Sequence, residues 1–267
     1  MRSFAYHQPG SVSEAAALLS ATAESRPIAG GITLLPTIKQ RLAAPEALID
    51  LSKVPNMAGV SEDGSGLTIG AMTRHADVAK SPLAQALIPT LAALAADIGD
   101  PAVRNRGTLG GSVANNDPAA DYPAAVLGLG ATIVTNEREI AADKFFVGLF
   151  ETALGPGEII TAIRFPAPLA AGYAKFKAPA SRYALVGVFV ARMKDGIQVA
   201  VTGAGPGVFR VASMEEALAK RFDPAAIAAI RIDAEGLNSD MHAEAAYRAH
   251  LVTIMAKRAV AIALESA

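Results

Sequence analysis

The chain contains no cysteine, and this absence excludes several kinds of chemistry. Without thiols it can form no disulfide, offers no thiolate nucleophile, and cannot by itself hold an iron–sulfur cluster or a zinc–thiolate site. The four histidines show no metal-ligand spacing: they are His7, His75, His242 and His250. No metal site is predicted, and any redox chemistry must therefore rest on an organic cofactor.

An excess of one charge is also lacking. The sequence has 24 Lys+Arg and 25 Asp+Glu, which favours neither a nucleic acid nor an anionic membrane as partner. The longest apolar stretch, residues 251–264, is interrupted by Lys257 and Arg258, and the first nine residues lack the apolar centre of a signal peptide. We expect a cytoplasmic protein with no integral membrane segment and no nucleic acid partner.

The rest of the sequence predicts a substantial core in three segments. Hydrophobic residues make up 52% of the chain, which is enough to bury a large apolar interior. Residues 1–55 follow the order strand, Gly-Gly, helix, strand, and residues 56–168 repeat it in a looser form. Residues 169–267 place three strands before their helices, after a linker at 166–168. The predicted fold class is α+β.

Hydrophobic periodicity and turn residues also give local predictions. We expect helices over residues 33–42, 83–98 and 243–264, the second of them a single alanine-rich helix. A turn-rich loop is expected over residues 107–118. The three strands of the last segment are predicted at residues 173–177, 185–193 and 197–203.

A first glycine loop lies between a predicted strand and a predicted helix. Gly30 and Gly31 can adopt positive φ and carry no Cβ, so a ligand can approach the backbone closely. Unpaired N–H groups before a helix favour an anion, and Thr33 adds a hydroxyl donor. The same residues are typical of a tight turn capped by Thr33, so both interpretations stay open at this point.

A second glycine-rich stretch covers residues 104–117. It contains hydroxyls at Thr108 and Ser112 and the pair Gly110 and Gly111. Adjacent N–H groups in such a stretch form anion-binding nests, although glycine and asparagine also make ordinary turns. Two such stretches in one chain favour a phosphate-binding interpretation.

Other nucleotide motifs do not fit. The sequence has no P-loop pattern, and the glycines of residues 203–207 mark a turn rather than a dinucleotide fingerprint. Asp50 follows Gly31 at about the spacing of a Rossmann acidic residue, but the remaining fingerprint is absent.

Five stretches together resemble the FAD-binding medium subunits of molybdenum hydroxylases, of the aerobic carbon monoxide dehydrogenase and xanthine dehydrogenase type. Residues 29–36 (Ala-Gly-Gly-Ile-Thr-Leu-Leu-Pro) are similar to that family's first glycine motif. Residues 108–115 and 117–123 are similar to its second motif and the aspartate–proline segment after it. Residues 158–161 and 240–251 also resemble family patterns, so the likeness covers nearly the whole chain.

The resemblance implies an FAD-binding domain of two subdomains (the PCMH type), residues 1–55 and 56–168. A C-terminal α+β domain with a three-stranded antiparallel sheet would follow at residues 169–267. It also implies which residues bind the cofactor, with the Gly-Gly pairs at the pyrophosphate and Ile159 or Ile160 against the isoalloxazine. The predicted FAD contacts are Ala29, Gly30, Gly31, Ile32, Thr33, Thr108, Gly110, Gly111, Ser112, Asp121, Ile159, Ile160, Lys175 and Tyr183.

Two of these contacts have plain alternatives. Tyr183 falls where the carbon monoxide dehydrogenase type places an aromatic side chain beside the flavin, but it is equally typical of an ordinary strand aromatic. Lys175 is also typical of a solvated charge.

The resemblance further implies a division of labour among subunits. A molybdopterin large subunit would hydroxylate the substrate and an iron–sulfur small subunit would relay electrons, in a dimer of heterotrimers. FAD in this chain would collect two electrons and pass them to quinone, NAD or oxygen. No catalytic acid, base or nucleophile is therefore predicted here.

Departures from the family pattern leave the electron acceptor open. Ile32 stands where many relatives have histidine, Arg182 where many have an acidic residue, and no lysine lies near Leu185. Two other functions stay possible at the level of sequence: a stand-alone NAD(P)H-dependent flavin reductase, and a scaffold subunit without flavin.

Overall fold

The fold begins with a three-stranded parallel sheet. The computed structural model describes residues 2–64 and 66–266. Strands β1, β2 and β3 lie in the order β1-β3-β2, and helices α1 and α2 make the connections. Their bounds are β1 Ala5–His7, α1 Val12–Ala21, β2 Ser25–Ile28, α2 Leu34–Lys39 and β3 Ala47–Asp50. The predicted order of strand, Gly-Gly, helix and strand is present, with Gly30 and Gly31 between β2 and α2.

A five-stranded antiparallel sheet forms the middle of the chain, in the order β4-β5-β10-β6-β7. A separate hairpin of β8 and β9 lies between β7 and β10 in sequence. The strands are β4 Val60–Glu62, β5 Gly66–Gly70, β6 Thr132–Thr135, β7 Glu139–Ala141, β8 Phe146–Gly148, β9 Glu151–Thr152 and β10 Ile160–Pro166. Short 3-10 helices cover Leu51–Lys53 and Ala142–Lys144.

Six short helices occupy the sequence between β5 and β6. They are α3 His75–Lys80, α4 Pro82–Leu87, α5 Pro89–Ala96, α6 Pro101–Arg104, α7 Leu109–Asn115 and α8 Tyr122–Gly128. The single helix predicted over residues 83–98 is wrong. Pro89 starts a new helix, because a proline disfavours helical geometry in the residue before it, and Ile88 has φ −140° and ψ 68°.

The stretch predicted as a loop over residues 107–118 contains helix α7, so that prediction is wrong as well. Thr108 caps the helix by accepting a hydrogen bond from the Gly111 N–H group. Asn116 ends it in the left-handed conformation with φ 44°. The helix predicted over residues 33–42 is shorter than expected: it ends at Lys39, and Arg41 has φ 63°.

The last part of the chain is an antiparallel sheet in the order β11-β12-β13-β14, covered by helices. The three predicted strands are confirmed, and β14 adds a fourth that is too short to show a periodic pattern. The elements are β11 Ala170–Lys177, β12 Ala184–Arg192, β13 Ile197–Thr202, β14 Phe209–Arg210, α9 Ala212–Lys220, a 3-10 helix Pro224–Ile227 and α10 Ala245–Glu265.

Strand β12 is buried on both faces and joins the two main cores. Phe189 and Ala191 belong to the core shared with the first two sheets and with α8. Val188 and Val190, which point to the opposite face, pack under α10. The C-terminal sheet is thus docked on α8, next to the second glycine segment. The division into three domains at residues 55 and 168 stays a prediction.

Across residues 2–64 and 66–266, α10 included, no helix combines the length and the apolar character needed to cross a membrane.

Candidate functional site

Two glycine segments that are far apart in sequence touch each other: the first is residues 29–34 and the second is residues 106–111. An ideal Cβ on Gly30 would lie 2.1 Å from the carbonyl oxygen of Arg106 and 2.9 Å from the Cα of Gly107. Only glycine permits this approach of two backbones. Gly31 has φ 73°, a conformation that side chains rarely adopt. The glycines therefore bring residues 29–34 against residues 106–111.

The first segment presents a group of free backbone donors. Among the residues that the structure describes, no protein acceptor receives the N–H groups of residues 30–34, whereas the next one, Leu35, donates to the carbonyl of Gly31 at 3.1 Å. Successive free N–H groups in a turn are suited to an anion. The first glycine segment therefore has free N–H groups that are available to bind an anion, as the sequence predicts.

The second glycine segment differs from the expected anion-binding nest, because its backbone N–H groups already donate to acceptors within the protein. The N–H groups of residues 109–112 donate, in order, to Thr73 O at 3.0 Å, Ala71 O at 2.8 Å, Thr108 Oγ1 at 3.1 Å and Thr108 O at 3.0 Å. Free N–H groups were predicted here, and that part of the prediction is wrong, since these groups cap α7 and dock it on the chain that follows β5.

The two glycines of the second segment serve different contacts. A Cβ on Gly110 would lie 2.5 Å from the Ala71 Cβ, so this glycine allows α7 to pack on the chain after β5. A Cβ on Gly111 would lie 2.8 Å from Thr108 Oγ1 and 3.7 Å from the Ala29 Cβ. Gly111 therefore faces the first segment and keeps the space between the two segments open.

That space continues as one cavity of about 560 Å³, within the usual size of a cofactor site. Every predicted contact except Lys175 lines it. The lining residues from the prediction are Ala29, Gly30, Gly31, Ile32, Thr33, Thr108, Gly110, Gly111, Ser112, Asp121, Ile159, Ile160 and Tyr183. Residues from all three segments of the chain thus meet at this cavity. Their contact with FAD stays a prediction.

Lys175 is neither a cavity-lining residue nor a solvated charge. Its side chain is 2% exposed, and its Nζ lies 2.9 Å from Oδ1 of Asp121 and 3.0 Å from the Asp97 carbonyl oxygen. Tyr173 donates a short hydrogen bond to the same carboxylate. Burial raises the pKa of Asp121, while the Lys175 ammonium and the Tyr173 hydroxyl act in the opposite direction.

Tyr183 lies at the rim of the cavity, immediately before β12. It is 42% exposed, and its carbonyl accepts the N–H group of Ala178 in the loop that joins β11 to β12. Burial of part of the ring raises the pKa of the Tyr183 hydroxyl, and the carboxylates of Asp117 and Asp121 raise it further. The alternative of an ordinary strand aromatic does not apply, because Tyr183 is outside the strand.

A polar cluster around Glu158 fixes the chain at Ile159 and Ile160. The N–H group of Ile159 donates to Asn136 Oδ1 at 2.6 Å. The neighbouring Glu158 carboxylate accepts Arg138 Nε at 2.9 Å. Hydrogen bonds from Arg138, aided by Gly155 N–H and Thr135, lower the pKa of Glu158 to about 2. This buried carboxylate is therefore ionised at neutral pH and fixes the start of β10.

Several polar or glycine positions of the cavity wall were not among the predicted contacts, and His75, Gly107, Asp117 and Glu158 are examples. His75 reaches the cavity because its N–H group donates to Gly107 O at 3.0 Å, next to a bridge between Arg74 and Thr108. No local pattern signals this placement, since its partners lie some thirty residues along the chain. Burial, with Arg104 nearby, lowers the pKa of His75 to about 4.

Comparison with known proteins agrees with this architecture. Residues 2–168 match the family described as the FAD binding domain in molybdopterin dehydrogenase. The carbon monoxide dehydrogenase medium chain of Hydrogenophaga pseudoflava is 38% identical over 96% of each chain. The nicotine 6-hydroxylase medium subunit of Paenarthrobacter nicotinovorans is 37% identical over 96% of this chain and 95% of its own.

The structural comparison extends over the whole molecule. A structure of carbon monoxide dehydrogenase from Hydrogenophaga pseudoflava, which lacks the Mo-pyranopterin moiety of its cofactor, superposes with a TM-score of 0.91. The match has 37% sequence identity and covers 100% of this chain and 99% of the other. From the family match, the relatives and the shared fold, we conclude that the chain belongs to the FAD-binding domain family of the molybdopterin dehydrogenases.

Proposed function

We propose that this chain is the FAD-carrying electron-transfer subunit of a molybdenum-containing hydroxylase or dehydrogenase complex. The observation that carries the proposal is the row of free N–H groups at residues 30–34, beside the wall formed by Gly111. A dinucleotide such as FAD has a pyrophosphate that needs donors of this kind and a long body that needs a cavity of this size. The residues present therefore fit FAD.

Each part of the cavity has a role in this proposal. The N–H groups of residues 30–34, with the Thr33 hydroxyl, bind the pyrophosphate, and the Ser112 hydroxyl adds a donor from the opposite wall. Ile159, Ile160 and Tyr183 flank the isoalloxazine, and Asp121 contacts the cofactor. FAD, when bound, supplies the redox chemistry, while the protein supplies binding, orientation and exclusion of water. No residue is assigned as acid, base or nucleophile.

The proposed partners are an iron–sulfur small subunit and a molybdopterin large subunit, as a dimer of heterotrimers. Two observations support this assignment. The relatives named above are medium chains or medium subunits that align over nearly their whole length. The chain also has no cysteine with which to hold a cluster of its own. Quinone, NAD and oxygen remain the candidate acceptors, and a cytoplasmic location is part of the proposal.

A titration of the purified chain with FAD tests the cofactor site. Gly111→Asp points a carboxylate toward the first segment, where it competes with the pyrophosphate for the same donors. Gly111→Asn has nearly the same shape without the charge. We expect wild type to retain a flavin absorbance band through desalting, Gly111→Asp to lose it, and Gly111→Asn to keep part of the affinity. If the wild-type chain takes up no FAD even with its partner chains present, the flavin-free scaffold is the better description.

Co-purification tests the subunit assignment. Expression together with the neighbouring genes should yield a complex that contains molybdenum and iron. A chain that oxidises NAD(P)H by repeated turnover without any partner would instead be the stand-alone flavin reductase.

A further inference from the structure

Asp121 occupies the position before helix α8 but does not cap it. Its side chain accepts no N–H group of the helix, which is the usual role of aspartate at such a position. The carboxylate turns instead to two residues of β11: Lys175 Nζ approaches Oδ1 at 2.9 Å and Oδ2 at 3.0 Å, and the Tyr173 hydroxyl donates to Oδ1. The orientation of Asp121 is therefore decided by the C-terminal sheet.

This contact is enclosed, unlike a surface ion pair. The side chains of Lys175 and Asp121 are 2% and 4% exposed. Gly187, the partner of Lys175 in β12, leaves room for the Tyr173 hydroxyl, because a Cβ there would lie 2.5 Å from that oxygen. Removing one member of a buried ion pair leaves an uncompensated charge, which is far more costly than losing a surface pair.

The same sheet also holds the backbone that carries Asp121. Thr202 Oγ1 donates to the carbonyl oxygens of Pro118 and Ala120, at 3.0 and 2.7 Å. The N–H group of Gly203 donates to Pro118 O at 2.7 Å. Residues beyond position 168 thus fix both the main chain and the carboxylate of Asp121. The glycine segments of the cavity that this carboxylate lines come instead from the part of the chain before position 168.

We propose that Lys175 and Tyr173 are positioning residues for the flavin, which act by holding Asp121 as a paired carboxylate on the wall of the FAD cavity. This inference rests on the proposed function, since it takes the cavity to be the FAD site. Lys175 itself does not touch the cofactor. Its ammonium neutralises a carboxylate that would otherwise stand unpaired next to an anionic ligand. The flavin site is therefore complete only when the C-terminal sheet is docked on α8.

The charged and titratable groups around Asp121 come from several elements. They are Lys175 and Tyr173 from β11, Asp97 after α5 with its partner Lys177, Asp117 and Tyr122 beside Asp121 in sequence, and Tyr183 before β12. Lys175 is the cation in direct contact with the carboxylate. Without it, burial and Asp97 both favour the protonated form of Asp121, so its pKa would rise.

The test is the pH dependence of FAD affinity in the full chain, measured by quenching of flavin fluorescence between about pH 6 and about pH 8. In wild type, where Lys175 and Tyr173 lower the pKa of Asp121 against the effect of burial, we expect the affinity to change little across this range. In Lys175→Met we expect the dissociation constant to rise about tenfold as the pH rises and Asp121 loses its proton unpaired. Lys175→Arg should restore the flat profile. Lys194→Met, at an exposed position between β12 and β13, is the control and should behave as wild type.

A double variant separates the effect of losing the charge of Lys175 from the effect of disturbing the structure around it. Adding Asp121→Asn to Lys175→Met removes both charges, and we expect the pH dependence to disappear. The double variant, which contains no unpaired buried charge, also provides the test if Lys175→Met alone does not fold. The proposal is overturned if Lys175→Met keeps the wild-type profile, or if it weakens FAD binding equally at every pH and Asp121→Asn restores nothing. Failure of the proposed function would look different, because the wild-type chain itself would then bind no FAD.

Discussion

Gly30 and Arg106 are in backbone contact, so close that a Cβ on Gly30 would lie 2.1 Å from the Arg106 carbonyl oxygen. This contact joins the parallel sheet at the start of the chain to the helices that follow β5. It also limits the width of the cavity that residues 30–34 line. The sequence predicts Gly30 as a phosphate-binding residue, and the structure shows that it also allows two parts of the fold to pack against each other.

Gly30→Ala should therefore impair folding and cofactor binding together. The methyl group cannot be accommodated beside a carbonyl oxygen without moving one backbone, and overpacking of this kind costs about 1–3 kcal/mol or more. We expect a lower free energy of unfolding in urea and weaker FAD binding by the folded fraction. Gly207→Ala is the control, because a Cβ there meets nothing within 4 Å, and it should behave as wild type. A Gly30→Ala protein with wild-type stability would contradict the contact.

Gly110→Ala should act mainly on stability. Its Cβ would lie 2.5 Å from the Ala71 Cβ and 2.8 Å from the Ala71 carbonyl oxygen, so α7 must move away from the chain after β5. We expect a loss of about 2 kcal/mol in the free energy of unfolding of the apoprotein. Adding Ala71→Gly removes only the methyl clash, and it should restore no more than part of the stability. Complete restoration would show that the carbonyl contact is unimportant.

His75 should make the stability of the protein depend on pH. Its pKa is lowered from 6.5 to about 4 by burial, so the unfolded chain binds a proton at a higher pH than the native chain does. The resulting stability is fully present above about pH 6.5 and is lost as the pH falls toward 4, by about 3 kcal/mol in all. Unfolding curves of wild type and His75→Gln over this range provide the measurement. The difference between them should shrink on acidification, and a constant difference would contradict the assignment.

Arg248 should be the most sensitive charged position of helix α10. Its guanidinium donates to Leu185 O at 2.7 Å and Gly203 O at 2.9 Å, and it pairs with Asp240 at 2.7 Å. Arg248→Met leaves two buried carbonyls without this donor, at a cost of about 3 kcal/mol.

The melting temperature of Arg248→Met should fall by several degrees, as measured by circular dichroism. Arg258→Met, at an exposed position of the same helix, is the matched control and should change it little. Equal effects of the two substitutions would mean that the buried hydrogen bonds contribute nothing measurable.

Local sequence patterns predicted some helices and strands correctly and missed others. The strand Ala47–Asp50 and the three long strands of the last sheet follow from apolar runs bounded by turn residues. The break before Pro89 was missed because the alanine-rich pattern continues on both sides of it. Helix α7 was missed because Gly110 and Gly111 are poor helix formers, and their helix is stabilised by contacts with β5 and by the Thr108 cap.

The sequence by itself determined the family and, through that resemblance, the class of cofactor and the segments that surround it, because the motifs that carry the resemblance are short runs of neighbouring residues that can be read without a fold. Only the tertiary structure decided what each residue does there. It leaves the donors of residues 30–34 free, engages those of residues 109–112, and buries Lys175 against Asp121. Whether a donor is free or a charge is paired depends on neighbours that lie tens of residues away in the chain, and only folding brings them together.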